Sequence, residues 1–200
     1  MTRVVLASNN QGKLKELQQT LAPLKLELIS QSEFAFPEAI EDGLSFVENA
    51  IIKARHAAKL TGLPALADDS GLEIDVLQGE PGIYSARYAG TDLDRAANDA
   101  ANNRLVLDKL STVPQSQRRA RFHCVIALMR FADDPMPLIC QGSWEGSILF
   151  EERGANGFGY DSIFYVPEHD CASAELTPQV KNSLSHRAQA IQELLSRWPL

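Results

Sequence analysis

Four short stretches of the 200-residue chain place charged and polar side chains where phosphate chemistry needs them. The first is Asp68-Asp69-Ser70-Gly71, which follows the apolar run Ala65-Leu66-Ala67. Two carboxylates and a hydroxyl at a strand tip suit a hard divalent cation, because Mg2+ is held through one or two carboxylates while waters and phosphate oxygens fill its other positions. Neighbours on a strand face opposite ways, so only one of the two aspartates faces a given cleft. Glu41, in the polar loop containing Glu41-Asp42-Gly43, is a candidate second oxygen ligand. The competing reading is a solvated acidic turn.

Ser8-Asn9-Asn10-Gln11-Gly12-Lys13 lies between an apolar run and an amphipathic segment, where backbone amides and the helix dipole favour an anion. It is not a Walker A loop. Lys13 and Lys15 fall in the first helical turn, where a cation opposes the dipole; a bound phosphate would offset that cost, and a solvated loop with surface lysines fits the spacing equally well. In Gly154-Ala155-Asn156-Gly157-Phe158-Gly159-Tyr160-Asp161, glycines bracket two aromatics that either hold a planar ring or return to the core. A dinucleotide-binding GxGxxG is not satisfied there, since the flanking strand and helix are missing. Lys181, His186 and Arg187 crowd the start of the last helix, which points either to an anionic or carbonyl-bearing partner or to ordinary surface positions. No serine or cysteine nucleophile can be placed beside His186. Pro81 to Gly90, rich in turns and aromatics, reads as a cleft lining, a subunit contact or a packed Ω-loop. Lys53, on the capped helix, either touches phosphate or is solvated, as lysines on such helices usually are.

The elements that must position these residues alternate between strand and helix. Arg3 to Ser8 is a short β-branched run, Lys13 to Leu21 carries Leu14, Leu17 and Leu21 at helical spacing, and Leu24, Leu26 and Leu28 alternate as in a strand. Ser45-Phe46-Val47-Glu48 has the capping-box spacing and opens a helix to Leu60, stopped by Gly62 and Pro64. Ala65 to Asp68 and Leu72 to Leu77 read as two short strands about a turn at Ser70-Gly71. Thr91 to Asp94 opens a helix over Arg95 to Leu110; Ala120 to Met129 and Leu138 to Phe150 form an antiparallel pair joined through Asp133-Asp134-Pro135. Ile163 to Val166 is a strand, and Ser185 caps a final helix carrying Ala188, Ile191, Leu194 and Leu195. This order predicts an α/β fold with a mixed sheet in one domain over residues 1–200.

Composition narrows the function classes. With 44% hydrophobic and 22% charged residues, disorder and collagen are excluded. A formal charge of -7 repels a nucleic-acid backbone, which leaves only a local basic pocket for a polyanion. The longest apolar run, Cys124 to Met129, is far short of the ~18 residues of a membrane span. Three cysteines without a CxxC pair fit a reducing cytoplasm, with any metal on oxygen ligands.

Taken in order, six motifs resemble the RdgB-type inosine/xanthosine triphosphate pyrophosphatases over nearly the whole chain. They are the Ser8 to Lys13 loop, Phe46-Val47-Glu48-Asn49-Ala50 with Lys53-Ala54-Arg55, Ala67 to Leu72, Pro81 to Arg87, Gly157 to Asp161, and Ser185-His186-Arg187. The resemblance implies an elongated mixed sheet with flanking helices, two lobes around a central substrate cleft, and a homodimer. It implies Mg2+-dependent hydrolysis of ITP, dITP and XTP to the monophosphate and pyrophosphate. By matching motif, Asp69 accepts the proton of the attacking water and touches the metal with Glu41. Ser8, Asn9, Asn10, Gln11, Gly12 and Lys13 hold phosphate, Ser70 contacts substrate, and Phe158, Gly159, Tyr160, Asp161, Lys181, His186 and Arg187 bind the nucleotide. The other readings are a house-cleaning pyrophosphatase for other modified nucleotides and a non-catalytic nucleotide-binding regulator. Two positions depart from the family pattern: Ser162 stands where proline is usual, and Val180 where an acidic residue is common.

Overall fold

Apolar runs that lack alternation form strands buried on both faces, and runs that alternate form strands with one wet face. Both kinds occur in the computed structural model, which describes residues 2–9, 11–90 and 94–198, without the side chains of residues 11, 12, 15, 16 and 19. The strands are β1 (Arg3–Leu6), β2 (Glu27–Ser30), β3 (Ala65–Ile74), β4 (Arg119–Met129), β5 (Leu138–Ile148), β6 (Phe164–Val166) and β7 (Cys171–Ala172). The helices are α1 (Gln11–Thr20), α2 (Phe46–Thr61), α3 (Arg95–Lys109), α4 (Pro178–Leu184) and α5 (His186–Ser196). The sheet runs β2-β1-β3-β4-β5-β6-β7, with β1 parallel to β2 and β3, and β6 antiparallel to β5 and β7. It is the mixed sheet that the element order predicts.

The chain divides into two compact units. The first comprises Met1–Asp69, Cys124–Gly142 and Gln189–Leu200. Here the sheet is covered on both faces. Val4, Leu6, Leu66 and Ile126 pack with Leu17, Leu21, Ile191 and Leu194, while Val5, Ala65, Ala67 and Val125 pack against Ala50, Ala54, Ala57 and Ala58 of α2. Small alanines let α2 lie close to the strands. That helix starts as its sequence dictates: Ser45 Oγ accepts from Glu48 N at 3.4 Å, and Leu44 N donates to Glu48 Oε2 at 2.9 Å. It ends at Gly62, whose φ of 68° is the left-handed geometry glycine adopts without strain.

The second unit comprises Ser70–His123 and Ser143–Ala188. One face of its strands carries Leu72, Ile74, Phe122, Trp144 and Phe164, with Phe122 and Phe164 centroids 4.6 Å apart. The opposite face is an ion-pair ladder in which Arg121 bonds Glu73 at 3.0 Å, Asp75 at 2.8 Å and Glu145 at 3.0 Å. So β4 alternates from Arg119 to His123 and becomes continuously apolar from Cys124, following the change of unit.

Three expectations need correcting. β3 is one ten-residue strand, not two strands about a turn, because tertiary partners hold Asp68-Asp69-Ser70-Gly71 extended against its turn-forming composition. β2 begins at Glu27, because Ala22–Leu24 forms a 3-10 turn with Pro23 near its start and Lys25 closing it at φ 51°. Lys181 belongs to the separate helix α4, capped by Thr177, and does not share the first turn of α5 with His186 and Arg187. The α3 start at Thr91 to Leu93 lies outside the described residues, and Asp94 caps that helix by accepting from Ala97 N at 3.0 Å. Among the described residues no helix is long and apolar enough to cross a membrane.

Arg118 is the largest of the fully buried side chains in the second unit. Its guanidinium donates to three carbonyls, those of Val113 at 3.0 Å, Leu149 at 2.6 Å and Leu110 at 2.5 Å. Arg118→Met, which keeps much of the volume, should therefore lower stability by roughly 3 kcal/mol or more, each stranded carbonyl costing about 1 kcal/mol at least. The urea midpoint measures this, and an unchanged midpoint would refute the role.

Candidate active site

Strand alternation decides where the two aspartates go. Leu66 faces α1 and α5, Ala65 and Ala67 face α2, so Asp68 follows Leu66 and Asp69 follows Ala67. Each meets a lysine on its own side. Lys13 Nζ of α1 lies 3.0 Å from Asp68 Oδ1 and 2.8 Å from Oδ2. Lys53 Nζ of α2 lies 2.7 Å from Asp69 Oδ1 and 3.4 Å from Glu41 Oε1. Both aspartates are buried, Asp68 at 3% and Asp69 at 9% exposure. Removing one partner of such a pair typically costs about 3–5 kcal/mol, because it leaves a buried charge behind.

A pocket of about 220 Å3 opens among these groups, with Ser8, Asn9, Lys13, Glu41, Lys53 and Asp68 in its walls, and Asp69 is joined to it through Lys53. Burial pushes the Asp69 carboxyl above the ordinary aspartate range, against the opposing pull of Lys53. Burial also works against the Lys53 ammonium, but Asp69, Asp68 and Glu41 together hold it above the ordinary lysine range. Among the described residues no three His, Cys, Asp or Glu side chains form a metal cage. Mg2+ does not require one, and the oxygens of Glu41 and Asp69 already share a single cation in Lys53, so this donor set fits a Mg2+ completed by water and phosphate.

The second unit holds the other group. Phe158 is half exposed, with the Arg95 guanidinium 4.9 Å and the Lys181 ammonium 5.3 Å from its ring centroid. Asp161 braces the loop: its carboxylate accepts from Phe158 N at 2.9 Å, from Ser173 Oγ at 3.0 Å and from Lys181. Tyr160 is buried, its hydroxyl donating to Ser85 O at 2.8 Å, and burial raises its phenol pKa. The two aromatics of the loop therefore part, Phe158 presenting its ring outward and Tyr160 returning to the core. His186 and Arg187 are both buried at the start of α5, with the His186 ring stacked on Phe122 at 4.8 Å.

Of the residues singled out from sequence, the first unit thus brings together Ser8, Asn9, Lys13, Glu41 and Asp69. Asn10 and the side chain of Gln11 lie outside the described residues, and Gly12 is described only as part of the α1 backbone. Ser70 is the next residue of β3 and is half-buried. In the second unit Phe158, Asp161 and Lys181 form one cluster, to which Gly159 is tied through its N–H on Asp99 Oδ2 at 2.9 Å. The departures have local explanations: Ser162 Oγ donates to Glu152 at 2.8 Å and accepts from Asn103 at 3.0 Å, while Val180 packs on the aromatic core.

A family model for the Ham1 family matches residues 4–197. The chain belongs to the Ham1 family. Among its relatives, the dITP/XTP pyrophosphatase of Vibrio cholerae serotype O1 is 57% identical over 194 residues, covering 97% of this chain and 95% of the relative. The protein of the same description from Pseudomonas aeruginosa is 57% identical over 200 residues, covering 100% and 98%. The solved structure of a HAM1 protein from Coxiella burnetii matches with a TM-score of 0.92 at 56% identity, over 98% of each chain. The resemblance read from six motifs holds over the full Ham1 match.

Lys53 is the residue of this Ham1-family site that sequence reading missed. A signal was available, since Lys53 falls three residues after Ala50 and four before Ala57, on the alanine face of α2 that packs on the sheet. A lysine on a packed face needs a carboxylate, and two follow from the topology. The cluster in the second unit has its own dependence on Gly157, whose φ is 82° and where a β-carbon would run into Asp161 Oδ2. Gly157→Ala should destabilise the protein by about 1–3 kcal/mol and weaken nucleotide binding. Thermal unfolding with and without nucleotide checks it, and wild-type behaviour in both would contradict the bracing role.

Proposed function

We propose that this chain hydrolyses ITP, dITP and XTP to the nucleoside monophosphate and pyrophosphate, with Mg2+, as one nucleotide pyrophosphatase domain that clears deaminated purines from the nucleotide pool. The observation that carries the reading is the partly buried set in which Lys53 joins Asp69 to Glu41 beside the Lys13–Asp68 pair. The relatives' description as dITP/XTP pyrophosphatases supports the same reaction.

The chemistry follows from the charges. Asp69, with Oδ1 engaged by Lys53, takes the proton of a water at its other oxygen, and that water attacks the α-phosphorus. The new P–O bond forms as the bond to the β-phosphate bridging oxygen breaks, and the electron pair leaves with pyrophosphate. Lys13 and the Ser8 to Lys13 loop draw off the charge developing there, and Lys53 keeps the Asp69 carboxylate oriented. Mg2+, held by Glu41 and Asp69, would neutralise charge on the phosphate oxygens. In the second unit, Phe158 provides the face on which a base stacks. Lys181, His186 and Arg187 supply donors that match a 6-oxo purine and mismatch the 6-amino group of adenine. A buried donor left without its partner costs about 1–3 kcal/mol, so each such mismatch discriminates by roughly tens to hundreds of fold. We further assign a homodimeric, cytoplasmic enzyme that binds no nucleic acid.

Asp69→Asn should lower kcat by about 10²–10⁴-fold with the circular dichroism spectrum retained. Lys53→Met should lower it by roughly 10²–10³-fold. The primary test is Mg2+-dependent pyrophosphate release across dITP, XTP, dATP, dGTP and dTTP. Preferential release from dITP and XTP is expected; orthophosphate as product, equal turnover of all five, or full activity of Asp69→Asn would overturn the assignment.

A further inference from the structure

The purines that this reaction accepts and rejects share a 6-oxo group and differ at C2, where hypoxanthine carries hydrogen, xanthine an oxo group and guanine an amino group. Something beside the base must read that difference. Arg95 is placed to do so. Its guanidinium lies 4.9 Å from the centroid of Phe158, the half-exposed ring on which a base would stack. It is the first residue of α3, where the helix dipole disfavours a cation, so propensity does not explain it.

The position of Arg95 is fixed by the stripe that follows it. Residues 95, 99 and 103 fall on one face of α3, and the latter two grip the same loop. Asp99 Oδ2 accepts from Gly159 N at 2.9 Å, and Asn103 Nδ2 donates to Gly159 O at 3.1 Å and to Ser162 Oγ at 3.0 Å. The helix is therefore anchored to the residues flanking Phe158, and Arg95 extends from that anchored end over the ring. Lys181, the other cation near the ring, is matched by Asp161. Among the described residues no carboxylate pairs with Arg95, whose guanidinium lies over the Phe158 ring.

We propose that Arg95 is a specificity-determining residue that favours xanthine and disfavours guanine at the C2 edge of the base, an inference that rests on reading Phe158 as the stacking platform. A guanidinium has N–H donors and no acceptor. The xanthine 2-oxo group accepts from it, and xanthine nucleotides lose a ring proton near neutral pH, so the contact is charge-assisted. The guanine 2-amino group meets it donor to donor. Hypoxanthine, with neither group, is the internal reference.

The test is calorimetric binding of XMP, IMP and GMP to the wild type, Arg95→Ala and Arg95→Lys. Arg95→Ala should lower the XMP-to-IMP affinity ratio about tenfold, the loss of one partly exposed charged hydrogen bond, and raise GMP relative to IMP. Arg95→Lys, keeping the charge, should retain most of the XMP preference. In the wild type the XMP-to-IMP ratio should rise between mildly acidic and mildly basic pH as xanthine ionises, and Arg95→Ala should flatten that rise. A merely structural role for Arg95 would weaken all three ligands together, and unmoved ratios would overturn the proposal. Failure of the wild type to bind any of them would overturn the platform and Arg95 with it. Failure to release pyrophosphate would overturn the reaction alone, since the binding ratios judge Arg95 separately.

Discussion

Two ammonium groups inside the protein constrain much of the first unit. Lys13 and Lys53 reach Asp68 and Asp69 from opposite faces of one strand, and each of these buried charges has meaning only with its partner. The pairs need α1 and α2 on the two faces of the sheet. They need small side chains beneath α2, which Ala50, Ala54, Ala57 and Ala58 supply, and a strand that stays extended through Asp-Asp-Ser-Gly. The same arrangement sets Lys13 and Lys53 among the carboxylates of Glu38, Glu41 and Asp68 around one pocket.

The second unit solves a different problem, which is to expose one aromatic ring and keep it still. Phe158 gains its exposure because Tyr160 is anchored inward on Ser85 and Asp161 ties the backbone of the loop to Ser173 and Lys181. Rigidity comes from buried hydrogen bonds, and two cations lie over the outward ring. A planar, electron-rich or anionic base suits such a surface better than a neutral aliphatic group does.

Much of this was legible in the residues. Arg3 to Ser8 reads as a strand, Ser45 with Glu48 marks the start of α2, and Ala120 to Met129, with its apolar run from Cys124, reads as the strand that β4 is. The motif order also pointed to the family and to Asp69, Glu41 and Lys13 as one group. Less legible were features decided by distant partners. Asp68 to Gly71 has turn composition, yet lysines from α1 and α2 meet its two carboxylates and the strand runs on. Lys53 is open from sequence between phosphate and solvent, since helical lysines are usually solvated, and only its phase relative to the alanines places it toward the sheet. Tyr160 and Phe158 share a loop with similar composition around each, and sequence alone could not tell which ring turns inward.

In the proposed reaction a water activated by Asp69 attacks the α-phosphorus and pyrophosphate leaves. Single-turnover hydrolysis of dITP in water enriched in oxygen-18, with mass analysis of both products, tests it most directly. One labelled oxygen in the monophosphate and none in the pyrophosphate are expected. Label in the pyrophosphate would place the attack on the β-phosphorus and contradict the roles given to Asp69 and Lys13.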